Sequence, residues 1–184
     1  MNSNYRWIKS NYNLVDKDKE RRFYMNFQVR EAIISDCIEI NNLVKEVHSL
    51  HVKNRPDVYV DVDTPLIKEH FYDLLSASDT KVFVVENLNN KELVAYSIVK
   101  IMAHRGIQIL RPMTFAYIDD FCVKASKKKN SIGMSLFDYV ASYAKSEGAL
   151  SLQLIVWEFN KDAIKFYESL EMSVRNRRME LNLG

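Results

Sequence analysis

The sequence predicts a mixed α/β domain, and three features predict it. Strand-like and helix-like periods alternate from Phe27 onward in the order β-α-α-β-β-β-α-β-α-β. The run Leu150–Trp157 is almost continuously apolar, as a strand covered on both faces would be. Finally, 184 residues that are 47% hydrophobic and 27% charged suit one domain of ordinary size, not a disordered chain.

Each element follows from its residues. Phe27–Ile33 reads as a short strand, and Ser35 is a good N-cap for a helix running to about His51. Ile40, Leu43, Val44 and Val47 give that helix one apolar face. Thr64-Pro65 pairs an N-cap with proline at the first helical position and opens a second helix through Leu75. Lys81–Asn87 and Glu92–Ala103 read as strands joined by a turn at Asn89-Asn90, and Thr114–Val123 as the next strand. Ile132–Ser146 is a third helix stopped by Gly148. The strand Leu150–Trp157, a helix over Asn160–Leu170 and a last strand over Ser173–Leu183 complete the order. Residues 1–24 carry six Lys/Arg against three Asp/Glu and no sustained period, so they read as a polar extension before a domain spanning 25–184.

Several classes of function are excluded. No apolar run approaches the roughly 18 residues of a membrane span, and the N-terminus has no apolar centre of a secretory signal. The two cysteines, Cys37 and Cys122, lack partner spacings for a disulfide scaffold or a zinc module, which fits a reducing cytoplasm. A net charge of +2 is too small to argue for nucleic acid.

The most informative stretch is Asp119–Leu136. A strand ends at Val123, a loop with Lys124, Lys127, Lys128 and Lys129 follows, and a helix begins near Ile132. Unpaired N–H groups at a helix start, ringed by cations, suit a phosphate or pyrophosphate; a solvated basic turn explains the same residues. Further on, Ala163, Phe166, Tyr167 and Leu170 share a helical face behind Asn160. Tyr167 there is either a core residue or a hydroxyl able to give a proton to a leaving group.

These two segments resemble the GNAT superfamily of acyl-CoA-dependent N-acyltransferases. The loop signature Arg/Gln-x-x-Gly-x-Gly/Ala is represented by Lys128-Lys-Asn-Ser131-Ile-Gly133. The later pattern Asn-x-x-Ala-x-x-Phe-Tyr is met by Asn160, Ala163, Phe166 and Tyr167. The resemblance implies a mostly antiparallel mixed sheet flanked by about four helices. Its central parallel pair, Thr114–Val123 and Leu150–Trp157, would splay to hold the cofactor. It implies acetyl-CoA as co-substrate, no metal, and direct transfer of the acetyl group to a primary amine of a small molecule or peptide.

Residue by residue, it implies that Phe121, Cys122 and Val123 pair with the pantetheine arm. The amides of Lys128, Lys129, Asn130, Ser131, Ile132, Gly133 and Met134 would hold the pyrophosphate. Asn160 would touch the cofactor arm, Tyr167 would protonate the departing thiolate, and an N–H near Phe121 would polarise the acetyl carbonyl. Among such relatives pairing into a homodimer is common. Three positions depart from the pattern. Lys128 offers charge without a planar fork, Ser131 brings a Cβ where glycine permits close approach or an unusual φ, and Glu171 stands in place of a turn glycine. The first two allow an alternative, a non-catalytic acyl-CoA-binding or interaction module.

The resemblance further implies an acidic general base on the strand Thr114–Val123. Strict alternation puts Tyr117, Asp119, Phe121 and Val123 on one face and Ile118, Asp120 and Cys122 on the other. Asp119 is the first choice for the base and Asp120 its rival, against the bland reading of a carboxylate paired with a nearby cation. His48 and His51 on the first helix read as core or cleft residues and, with no third ligand, not as a metal site. Asp57, Asp61 and Asp63 make the following loop acidic, which would suit a cationic acceptor or merely a solvated loop. Cys122, in mid-strand, reads as a packing residue.

Overall fold

The computed structural model describes residues 26–104, 106, 108–128 and 131–183. The expected extension over 1–24 and the loop residues Lys129 and Asn130 lie outside the described residues. Contacts group into two compact units, one ending at Gln153 and one comprising Leu154–Gly184.

Five strands form one sheet in the order β1 (Phe27–Glu31), β2 (Thr80–Asn87), β3 (Leu93–His104), β4 (Met113–Val123) and β5 (Leu152–Leu154). The first four pair antiparallel with their neighbours. β5 joins β4 in parallel: the Leu150 N–H donates to the Thr114 carbonyl and the Ala116 N–H to the Ser151 carbonyl, each at 2.9 Å, so both chains advance together. The helices are α1 (Cys37–Asn54), α2 (Lys68–Ser76), α3 (Ile132–Ser146) and α4 (Lys161–Ser169).

β3 is the centre of the first unit because both of its faces are covered, and Leu93–Val99 are all buried. On one face Tyr96, Ile98 and Cys122 join Ile40 and Leu43 of α1 and Phe71 and Leu74 of α2 in a single apolar cluster. α3 also packs on β3; its Ile132, Leu136, Val140 and Ala144 are buried at four-residue spacing. Gly148 closes α3 with φ +75, while the Gly148 N–H reaches the Lys145 carbonyl and the Ala149 N–H the Ala144 carbonyl. That is a Schellman closure, which needs the left-handed conformation glycine tolerates.

Several boundaries differ from expectation for physical reasons. The N-cap position of α1 is Asp36, not Ser35, because a 3-10 turn over Ile34–Asp36 leads into the helix; the Asp36 carboxylate fastens that turn by accepting the Ile33 N–H at 2.8 Å and caps no α1 amide. α2 starts at Lys68, three residues past Pro65, because the Leu66 N–H is held by the Asn41 side chain of α1 at 3.0 Å and Leu66 is buried. β5 spans three half-buried residues, not the whole of 150–157, and Leu150 is 77% exposed. Residues 173–183 form no strand. Val174, Met179, Leu181 and Leu183 are all exposed there, so no apolar face is available to hold a strand in place.

One ion network anchors the sheet edge. Arg30 on β1 donates to both carboxylate oxygens of Asp36, at 2.7 and 3.0 Å, and through Nε to Glu86 of β2 at 2.7 Å. The two carboxylates hold the guanidinium proton more firmly than usual, and Arg30 with Lys91 holds the Glu86 carboxyl below the ordinary range. The Asp36 and Glu86 side chains are only 8% and 12% exposed, so removing their shared cation strands buried charge. Arg30→Met is expected to cost about 3 kcal/mol, read from the midpoint of urea unfolding; a loss under about 1 kcal/mol would make the network no better than a surface pair.

Candidate functional site

The site begins where β4 breaks its alternation. Ile98 pairs with Asp120 and Val99 with Ile118, so Asp119 is an extra residue, a one-residue bulge. Opposed residues share a face, so Asp120 and Cys122 lie with Ile98 and Tyr96, while Ile118 lies with Val99 on the other face. The strict period-two reading of this strand therefore fails at Asp119: Ile118 and Asp120 face opposite ways, as do Tyr117 and Phe121.

The bulge separates the two aspartates in character. Asp119 is exposed and pairs with Lys100 Nζ at 2.6 Å. Asp120 sits in the sheet. Its carboxylate accepts the Tyr96 hydroxyl on one oxygen and the Phe121 N–H, at 2.9 Å, on the other. The Ser97 hydroxyl donates to the Asp120 backbone carbonyl at 3.1 Å. Burial raises the proton affinity of Asp120 despite these two donors, and burial with the neighbouring charge pushes the Tyr96 hydroxyl well up. Cys122 is buried with its thiol toward the Leu43 carbonyl at 3.6 Å, and burial pushes it up to about 12, which suits the packing role expected.

Beyond Val123 the chain turns toward α3. The Lys124 N–H donates to the Val94 carbonyl, and its ammonium pairs with Glu92, whose carboxyl is held low by that contact. Lys124 is therefore engaged on β3's side, so fewer of the four lysines serve the loop than the spacing suggested. The Ala125 N–H is accepted by Glu46 of α1 at 2.9 Å, which fixes the start of the 3-10 turn Ala125–Lys127. Ser131 is the N-cap of α3 at φ −66 and ψ 0, ordinary backbone for a residue with a Cβ. The strain considered for this serine is absent. Its carbonyl accepts the Ser135 N–H at 2.9 Å, so the amides of Ile132, Gly133 and Met134 precede the first helical bond. With exposed Lys128 beside them, they form a start suited to a pyrophosphate.

Of the expected cofactor-binding residues, Phe121, Cys122 and Val123 end β4, Lys128 closes the described start of the loop, and Ser131, Ile132, Gly133 and Met134 open α3; Lys129 and Asn130 lie outside the described residues. Asn160 and Tyr167 belong to the second unit. Asn160 caps α4, accepting the Ala163 N–H at 3.2 Å, and Tyr167 is half-buried with its ring 5.3 Å from that of Phe166. α4 ends in another Schellman closure with Glu171 at φ +63, the position where glycine was expected.

Helix α1 carries a fastened loop. His48 Nε2 lies 2.8 Å from the Val60 carbonyl, His51 stacks on Tyr59 at 4.9 Å, and Lys45 reaches Asp63 at 3.1 Å. Burial, then the neighbouring His48, lowers the proton affinity of His51. Among the described residues no group of three or more His, Cys, Asp or Glu is arranged to hold a metal. Sequence reasoning missed Tyr96, Ser97, Glu46 and Glu92. Their roles depend on strand register and helix placement, and the only local hint was a tyrosine and a serine inside an otherwise apolar strand.

The raised proton affinity of Asp120 fixes a sign. A carboxyl that binds its proton more tightly when folded stabilises the fold below the ordinary carboxylate range, and that contribution is lost as pH rises through the raised value. Asp120→Asn is therefore expected to be the more stable protein at neutral pH, with the gap closing on acidification toward about pH 4. Thermal melts across that range check it; a gap independent of pH would contradict the assignment.

Comparison with known proteins bears on the whole arrangement. The profile of the Acetyltransferase (GNAT) family matches residues 44–172, well over half of the chain. A mutant of the BH1408 protein from Bacillus halodurans is 29% identical, with a TM-score of 0.82 over 85% of this chain and 99% of that one. Glucosamine-6-phosphate N-acetyltransferase from Arabidopsis thaliana shares the fold at 20% identity and a TM-score of 0.61, covering 86% of this chain and 99% of its own. An aminoglycoside acetyltransferase from an uncultured soil metagenomic sample does so at 15% and 0.62, covering 88% and 98%. No curated protein matches. No helix among the described residues is long and apolar enough to cross a membrane. With the family profile spanning β3, the bulged β4, the lysine loop and α4, the chain belongs to the GNAT acetyltransferase family.

Proposed function

We propose that the protein transfers an acetyl group from acetyl-CoA directly to a primary amine of a small molecule or peptide, in the reducing cytoplasm. The carrying observation is the outward-turned edge of β4 at Phe121 and Val123, with exposed Lys128 following it in the chain and the first amides of α3, those of Ile132, Gly133 and Met134, preceding the first helical bond. It offers a strand edge for an amide-bearing arm and then a helix start for an anion. Bound there, acetyl-CoA would supply an activated thioester carbonyl.

The chain's own residues divide the remaining work. Lys128 and the first amides of α3 bind the pyrophosphate, with Lys129 and Asn130 completing the loop in sequence. In β4 the Lys124 N–H bonds to β3, so by alternation the N–H groups of Val123 and Phe121 turn away from β3, toward the edge where the arm would add as a strand. The Phe121 N–H is already given to Asp120, so the next amide turned the same way, that of Val123, is the better donor to the acetyl oxygen. From the second unit, the family pattern assigns to Tyr167 Oη the proton for the departing sulfur and to Asn160 a contact with the arm. Asp119, exposed and beside Lys100, is the carboxylate that takes the amine's proton, directly or through water.

The ordinary backbone of Ser131 weighs against a decayed loop, and so against the alternative of a non-catalytic acyl-CoA-binding module. Ser131→Gly is accordingly expected to change acetyl-CoA affinity by less than about twofold in calorimetric titration, since a gain of about 1.4 kcal/mol, tenfold, would be needed to reveal a crowded pyrophosphate. For Tyr167→Phe, kcat should fall by about 100-fold while the acetyl-CoA KM moves by less than about threefold, measured as thiol release with an amine panel. Equal loss in both parameters would remove Tyr167 as the acid. Calorimetry of the unaltered protein with acetyl-CoA, CoA and ATP tests the reading as a whole, and indifference to all three would overturn it.

A further inference from the structure

Asp120 is the obvious rival for the proton acceptor, being a carboxylate of raised proton affinity on the strand where a base is sought. Its surroundings argue for different work. Two consecutive residues of β3, Tyr96 and Ser97, project to opposite faces of the sheet, and both grip Asp120. Tyr96 is fully buried and gives its hydroxyl to the carboxylate; Ser97, also fully buried, gives its hydroxyl to the backbone carbonyl. The second carboxylate oxygen takes the Phe121 N–H. That N–H points away from β3 and has no ladder partner there, because the bulge at Asp119 sets the strand's phase. A satisfied buried network of this kind fixes one geometry, and freeing any member leaves an orphaned polar group.

We infer that Asp120, clamped by Tyr96, is a positioning residue that holds the β4 bulge and the Phe121 amide in place, and is not the base. The inference rests on the reading that Phe121–Val123 receives the acyl donor, and it names what keeps that segment in register. The groups facing Asp120 are the Tyr96 hydroxyl and Cys122 thiol on its own face and the Asp119 carboxylate next to it. Glu46 approaches from α1 toward Cys122.

The discriminating substitution is Asp120→Asn. An asparagine keeps an oxygen for the Phe121 N–H and an amide for the Tyr96 oxygen, but it cannot take a proton. Positioning therefore predicts that Asp120→Ala raises the acetyl-CoA KM at least tenfold, that Tyr96→Phe moves it the same way, and that Asp120→Asn moves it by no more than about threefold. A base predicts that Asp120→Asn and Asp120→Ala both lose kcat by 100-fold or more with KM nearly unmoved; that result overturns the proposal. To separate positioning from any folding defect of Asp120→Ala, the Phe121 amide proton is followed independently by NMR. In the unaltered protein it should titrate with one carboxyl step that is absent from Asp120→Asn; no such step overturns the clamp. Calorimetry of the unaltered protein with acetyl-CoA reports separately on the underlying reading, while the NMR arm judges the clamp with no ligand present.

Discussion

One extra residue in β4 governs much of the first unit. Asp119 has no ladder partner in β3, so every residue after it is shifted by one relative to a regular ladder, and the two ends of the strand serve different faces. Before the bulge, Ile118 packs with Val99; after it, Cys122 packs under α1. A bulge left to itself exposes an unpaired N–H inside the sheet, a cost of about 1–3 kcal/mol for a buried donor. Here the Asp120 carboxylate satisfies the displaced Phe121 amide, and Tyr96 satisfies the carboxylate in turn. The bulge persists because its polar consequences are met within the sheet. The direction in which Phe121–Val123 leaves it is thereby fixed.

The same economy shapes the loop that follows. Four lysines near a helix start look like one anion trap, yet Lys124 is turned back to Glu92 and the loop's first amide is held by Glu46. Acidic side chains from β3's approach and from α1 thus tie down the beginning of the loop, and cationic charge is left toward its end, at the N-terminus of α3. That gradient matters more than the number of lysines. A pyrophosphate placed beside Glu92 or Glu46 would be repelled, whereas at Lys128 and the first amides of α3 charge and dipole act together. α1 therefore has two functions in the first unit. It covers one face of the sheet through Ile40 and Leu43, and it sets the start of the loop through Glu46.

How far the sequence could be read depends on whether a feature is local. α3 matched its expected bounds because its signals, a four-residue apolar spacing and a glycine past the last turn, act within the helix itself. What went unread is non-local. The start of α2 was decided by Asn41, 25 residues earlier, and the face of Asp120 by pairing with a strand 22 to 24 residues away. The alternating pattern at 173–183 satisfied a local rule, yet its apolar side chains Val174, Met179, Leu181 and Leu183 are exposed. Left-handed backbone also fell on Lys91 and Glu171, where side-chain identity gives no warning because closure of the turn, not propensity, selects the conformation.

The loop after α1 shows why residue chemistry must be weighed with its partners. Its aspartates suggested a cationic acceptor, but Arg55 binds Asp57 through three hydrogen bonds and Lys45 reaches Asp63, so two of the three carboxylates face a cation of the chain itself. Burial keeps His51 toward its neutral form, and it lies flat on Tyr59 at 4.9 Å with an interplanar angle of 23°. The face this loop presents beside α1 is therefore aromatic as well as acidic. Protonating His51 would put a charge on that stacked face, and its burial opposes this.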